Sequence, residues 1–180
     1  MQMIAIVAMS ILPAIVYGIV LDQITARICA EYFTIGHPPL FETDSPALLA
    51  LAWGVLATWW VGLFLGIALA VAARAGGMPK REARSLVRPI IKLMATVAVC
   101  ASVGGSAGAI LAHRGFVTLV EPLASLVPAE KHTAFLADLW AHNASYLAGF
   151  IGGMVLIVRT WRSWLDPSLA LRASRENRRS

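Results

Sequence analysis

The chain reads as an all-α integral membrane protein, a four-helix bundle, and three observations predict this. Hydrophobic residues make up 58% of it and charged residues only 14%, with a mean hydropathy of +0.72; soluble domains are roughly 45–50% apolar and about 25% charged. Four apolar stretches reach the length of about 20 residues that a helix needs to cross the hydrocarbon layer. The charges between them are sorted. Twelve of the fifteen Lys and Arg residues fall in two stretches, and all four histidines with seven of the ten acidic residues fall in two others.

The spans follow in order. The first covers residues 1–21 and stops being apolar at Asp22. Pro13 should kink it, because proline removes a backbone donor in mid-helix. Its opening, Met1-Gln2-Met3-Ile4, has no basic side chain, and the apolar run is too long for a signal core, so a retained helix is expected. The second covers 46–73, where Ser45 followed by Pro46 makes a good helix start. The third covers 93–112 and the fourth 139–158, completing a bundle over 1–165 with a basic tail over 166–180.

The short connections orient the bundle. Arg74, Lys80, Arg81, Arg84, Arg88 and Lys92 lie between spans two and three, and a second basic group from Arg159 to Arg179 follows span four. The positive-inside bias then places both termini and the tail in the cytoplasm. The formal charge of +5 is read as this orienting signal rather than as a nucleic-acid surface. The same bias sends 22–45 and 113–143 to the outer face, where the first and fourth helices should project beyond the bilayer. The first helix can continue to about Phe33, letting Arg27 and Glu31, four residues apart, pair on one face. Pro128 and Glu130 mark a helix start that runs on through Asp138 and His142 into span four. Cys29 and Cys100 lie at different depths and are read as two unpaired thiols.

Small residues recur every four positions. Span two carries Gly54, Thr58, Gly62 and Gly66; span three carries Gly104, Gly108 and Ala112; span four carries Ser145, Gly149, Gly152 and Gly153. In lipid such stripes let helix backbones approach closely, and they are read as the packed centre of the bundle. Trp59 and Trp60, in mid-span, are expected to pack inside it.

Asp138 and His142 top the span-four stripe, and Asp22 and His113 should end at a similar depth. These four are the candidate site, with Glu31 and His37 as second-rank members. Imidazole with carboxylate suits a divalent metal such as zinc, and the same groups can handle protons, since histidine titrates near neutral pH. Ionisable groups at the edge of a span are costly to keep there, which points to function. Local pairing of Asp138 with His142 is the plain alternative. His132 lies off their face and should be solvated.

The segment Glu31-Tyr32-Phe33-Thr34-Ile35-Gly36-His37-Pro38, preceded by Asp22-Gln23-Ile24-Thr25-Ala26-Arg27, resembles a family of uncharacterised bacterial multi-pass membrane proteins. The resemblance implies a bacterial inner membrane with the outer face toward the periplasm. It transfers no activity and no site residue. Two functions are carried forward. One is an outward-facing Asp/Glu/His cluster that binds a metal or handles protons, in sensing, transport or a small membrane enzyme. The other is an auxiliary subunit whose glycine stripes and Trp59-Trp60 dock a membrane partner or a second copy.

Overall fold

A computed structural model describes residues 1–75 and 80–162, so the expected tail over 166–180 lies outside the described residues. Helices and the loops between them account for all of the described chain, with no strand among the described residues. Four helical stretches are long and apolar enough to cross a membrane: Gln2–Ile28, Pro46–Arg74, Arg84–His113 and Ala129–Arg162. Each is longer than its sequence-derived span, because polar residues at one end or both continue the same helix.

Helix α1 (Gln2–Ile28) runs through Pro13 and stops five residues short of Phe33. Cys29 is extended (φ −147°, ψ 97°), and the short helix α2 (Glu31–Thr34) follows. The break swings Tyr32 and Phe33 inward, where they are buried against Phe135 and Leu136. Burying two aromatic side chains is worth several kcal/mol (about 1.5–3 for each), more than one further turn of exposed helix can offer. The break also separates Arg27 from Glu31. Arg27 turns back onto the carbonyl and side chain of Gln23, while Glu31 meets Lys131 at 3.8 Å.

Span two is interrupted. Helix α3 (Pro46–Leu56) and helix α4 (Trp59–Arg74) meet at a turn through Ala57 and Thr58. The Thr58 hydroxyl donates to the Gly54 carbonyl at 2.5 Å, and the Thr58 amide reaches the Val55 carbonyl instead, at 3.3 Å. Back-bonding by threonine competes with the helical ladder and loosens that turn.

Helix α5 (Arg84–His113) includes the basic turns that precede the apolar span, with Pro89 inside it. The chain after it turns at Gly115 (φ +74°) and lays down helix α6 (Leu123–Leu126). Leu119 and Val127 from this segment are buried with Tyr32, Leu49 and Trp53. A single 3-10 turn (Ala129–Lys131) then leads into helix α7 (His132–Arg162), as Pro128 and Glu130 forecast. His132 is tied to this corner, its Nε2 donating to the Val127 carbonyl at 2.9 Å, rather than being free in solvent.

The bundle is two helix pairs. Helix α1 packs along α3 and α4, and α5 packs along α7, while contact between the pairs is sparser. Glycine explains the first seam. A β-carbon at Gly54 would lie 2.6 Å from the Ile19 Cα, one at Gly62 2.7 Å from the Ile11 Cα, and one at Gly66 2.8 Å from the Val7 Cα. In the second seam, a β-carbon at Gly108 would lie 2.6 Å from Trp140 Cγ and one at Gly104 2.9 Å from the Trp140 carbonyl oxygen. Two apolar cores close the ends: one around Phe135, Trp53 and Phe33, the other around Ile6, Leu69 and Ile90.

The span-four stripe departs from expectation. A β-carbon at Gly149 would meet nothing nearer than Val97 Cγ2 at 3.9 Å. Helix α7 turns Ala137, Trp140, Ala141 and Ala144 toward α5 instead, and Ser145 and Gly149 face a cavity between the pairs. Trp59 and Trp60 are both partly exposed, at 43% and 45%, rather than packed inside.

Candidate functional site

The polar residues inside the spans mostly satisfy themselves within their own helix. The hydroxyls of Ser10, Thr25, Thr96 and Ser102 each donate to the carbonyl four residues earlier, at 2.9–3.2 Å. Lipid supplies no alternative partner, so this is what the environment demands. Asp22, Asp138 and His142 do otherwise, as do Tyr17 and Ser145, which bond to each other.

Asp22 lies in the penultimate turn of α1, on the face that carries Ala14 and Gly18 toward the bundle interior. His142 lies in the third turn of α7. The two meet across the seam between the helix pairs, with His142 Nε2 3.1 Å from Asp22 Oδ1 and both residues buried. The other ring nitrogen, Nδ1, lies 2.8 Å from the backbone carbonyl of Asp138, one turn earlier.

That carbonyl can only accept, so Nδ1 must carry a proton. The remaining contact, Nε2 to Oδ1, then holds one proton, either on the imidazole or on the carboxyl. In the first state the pair is imidazolium and carboxylate; in the second both are neutral. The net charge of the pair is zero in each, and the two states differ only by the position of a proton over 3.1 Å.

Asp138 is the least satisfied group. It is 1% exposed, and neither carboxylate oxygen has a hydrogen-bond partner among the described residues. An unpartnered buried polar group costs about 1–3 kcal/mol, more if charged. Side chains pair differently from the plain expectation: Asp138 holds His142 through its carbonyl, and its carboxylate is left over.

Aromatic rings fix the imidazole. Tyr32 stacks on His142 with ring centroids 4.7 Å apart, and Phe33 meets it edge-on at 6.0 Å. His37 joins the same cluster, 4.9 Å from the Tyr32 ring and 4.6 Å from Trp53, with its Nδ1 donating to the Tyr32 carbonyl at 2.8 Å. Burial pushes the Tyr32 phenol up, so it stays protonated across the physiological range. One turn below the pair, the Tyr17 and Ser145 hydroxyls bond at 2.7 Å, joining α1 to α7 a second time.

The structure therefore brings together Asp22, His142 and the backbone of Asp138, and adds His37 from the second rank. It does not bring His113, which is exposed at the end of α5. Glu31 stands outside the cluster. Burial disfavours its charge, but its own backbone amide, the Cys29 thiol and Lys131 outweigh that and hold its carboxyl below the ordinary range. Cys29 donates its thiol to Glu31 Oε2 at 3.3 Å, and burial first, then that bond, pushes the thiol up to about 12. Both cysteines are unpaired, as expected. Among the described residues, no group of three His, Cys, Asp or Glu side chains converges closely enough to hold a metal ion.

Sequence reasoning missed Tyr17, Tyr32, Ser145 and Trp53. Tyr32 lies in the segment with the most distinctive residue order, which is the one signal that could have drawn attention to it. Asp22, His37, His142, Tyr17 and Trp53 all border one cavity of about 680 Å³ that descends between the helix pairs. Comparison with protein-family models, curated proteins and solved structures gives no match, so the site is read from its own geometry.

Proposed function

We propose that the chain is an inner-membrane protein whose Asp22–His142 pair, with Asp138, holds and exchanges a proton at the outer edge of the bilayer. On this reading the termini and the basic turns of α5 face the cytoplasm, and the Asp22 end of the bundle faces the periplasm. One observation carries it: Nδ1 of His142 is committed to a carbonyl, so a single proton is shared between Nε2 and Asp22 in a buried setting. Buried acid–base pairs that serve only stability can usually be replaced by apolar residues at no loss. Here the pair is accompanied by a second acid with no hydrogen-bond partner among the described residues, which stability alone does not call for.

A divalent metal is the weaker reading of the same residues. Zinc takes three or four protein ligands, and Asp22 and His142 supply two, already bonded to each other. His113 is too peripheral to complete the set, and Asp138 reaches His142 through its backbone.

Nitrogen-15 NMR of histidine-labelled protein in lipid nanodiscs tests the proton reading. His142 is expected to keep Nδ1 protonated at every pH, and to gain or lose the Nε2 proton in a step that Asp22→Asn displaces. A bare Nδ1, or a step indifferent to Asp22→Asn, would overturn it.

A further inference from the structure

The cavity has one polar end. Asp22, His37, His142 and the Tyr17–Ser145 pair lie at the top, and below them the lining is apolar as far as Leu65, Met154 and Ile157. From His142 to Ile157 is fifteen residues of one helix, about 22 Å at 1.5 Å per residue. The volume of about 680 Å³ falls inside the range of small-molecule sites, about 300–1,000 Å³.

Charge narrows the occupant. Among the lining residues Asp22 is acidic and none is Lys or Arg. A phosphate or carboxylate headgroup would therefore meet a carboxylate and no fixed cation. Trp53, Trp60, Phe33 and Phe64 line the same space, and aromatic faces attract cations, more strongly when water is excluded. Since the whole chain carries a formal charge of +5, attraction of a cation here must be local.

We propose that this cavity binds a lipophilic cation, an amphiphile or aromatic compound bearing a quaternary or protonated centre, with its charge at Asp22 and its apolar body between α4 and α7. The inference rests on the proton reading in one respect: a cation at Asp22 takes over the role of the His142 proton. One cation enters, one proton leaves from Nε2, and the charge of the site is unchanged. The other titratable groups facing Asp22 are Tyr17 on α1, Tyr32 on α2, His37 after it, and Asp138 and Tyr146 on α7; the lining residues from α3, α4 and α5 include none.

The full chain in phosphatidylcholine nanodiscs, titrated calorimetrically with tetraphenylphosphonium, is the test. Saturable binding of one cation per chain is expected, above that of empty discs. Asp22→Asn should weaken it by about tenfold or more, the scale for losing a buried charge partner. Gly149→Leu, which fills space against Val97, and Met154→Trp lower down should do the same by occlusion, and either variant suffices should the other fail to fold. No saturable binding, or binding unchanged in Asp22→Asn and in the folded occluding variant, would overturn the proposal. Proton release in weak buffer separates it from the reading beneath it. Binding with one proton released supports both. Saturable, Asp22-dependent binding without release upholds the cation site and overturns the proton reading. Retention of the expected histidine NMR behaviour without binding does the reverse.

Discussion

The two kinds of seam in this bundle follow opposite rules. Within each helix pair, glycine removes the β-carbon and backbones touch: Gly62 rests on Ile11, and Gly108 lies beneath Trp140. Between the pairs, Gly149 is equally small, yet no backbone closes on it and a cavity remains, while Ser145 one turn away is met by the Tyr17 hydroxyl. Small residues thus permit close approach without causing it. What decides is whether the opposite helix brings its backbone into register, as α1 does for α4 at Val7, Ser10 and Ile11. Opposite Gly149, α5 presents the Val97 side chain, 3.9 Å from where a β-carbon would stand, and the glycine is left bordering the cavity.

The largest expected effect comes from forcing a side chain into a closed seam. Gly62→Leu should cost on the order of 3 kcal/mol or prevent folding, because the atoms it meets are backbone. Gly149→Leu should leave the unfolding transition nearly where it is. Detergent-titrated unfolding in bicelles compares them, and equal losses at both sites would erase the distinction between seams.

Next in size is Asp138→Val. Removing two buried carboxylate oxygens that meet no partner among the described residues should raise stability by about 1–3 kcal/mol, while the backbone carbonyl that holds His142 is kept. A fall in stability would reveal a partner for the carboxylate and weaken the case for function over packing.

The end of the bundle gives two smaller tests. With its thiol pushed up to about 12, Cys29 is thiol rather than thiolate at neutral pH. Its alkylation by a water-soluble maleimide should be slow in folded protein, rise as pH climbs, and become fast on unfolding. Rapid labelling at neutral pH would show that the corner at Cys29 is open. Lys131→Ala should change stability by less than about 1 kcal/mol, since Lys131 and Glu31 stand 3.8 Å apart with side chains 42% and 24% exposed respectively. A larger loss, seen in the same unfolding assay, would mean that this ion pair fastens α2 against α7.

The four spans were legible because lipid makes hydropathy decisive, and the stripes in spans two and three because glycine periodicity has a single use there. Asp22 and His142 were legible as costly residues at span edges. Their pairing was not, since it joins positions 120 apart and depends on how the two helix pairs rotate about each other. The aromatic cluster was hidden for a different reason. Continuing α1 to Phe33 satisfies local helix propensity, and only the burial of Tyr32 and Phe33 against Phe135 explains why the chain breaks at Cys29. Likewise, Asp138 and His142 share a helix face as predicted, but their contact runs through a carbonyl, which side-chain spacing does not reveal.

The tether on Nδ1 sets a direction for any traffic through the site. A histidine that conducts takes a proton at one nitrogen and gives up another at its far one. With one nitrogen locked to a main-chain oxygen, this ring can load and unload only on the side that Asp22 occupies. Such a ring makes a terminus rather than a wire, and whatever arrives must leave by the door through which it came.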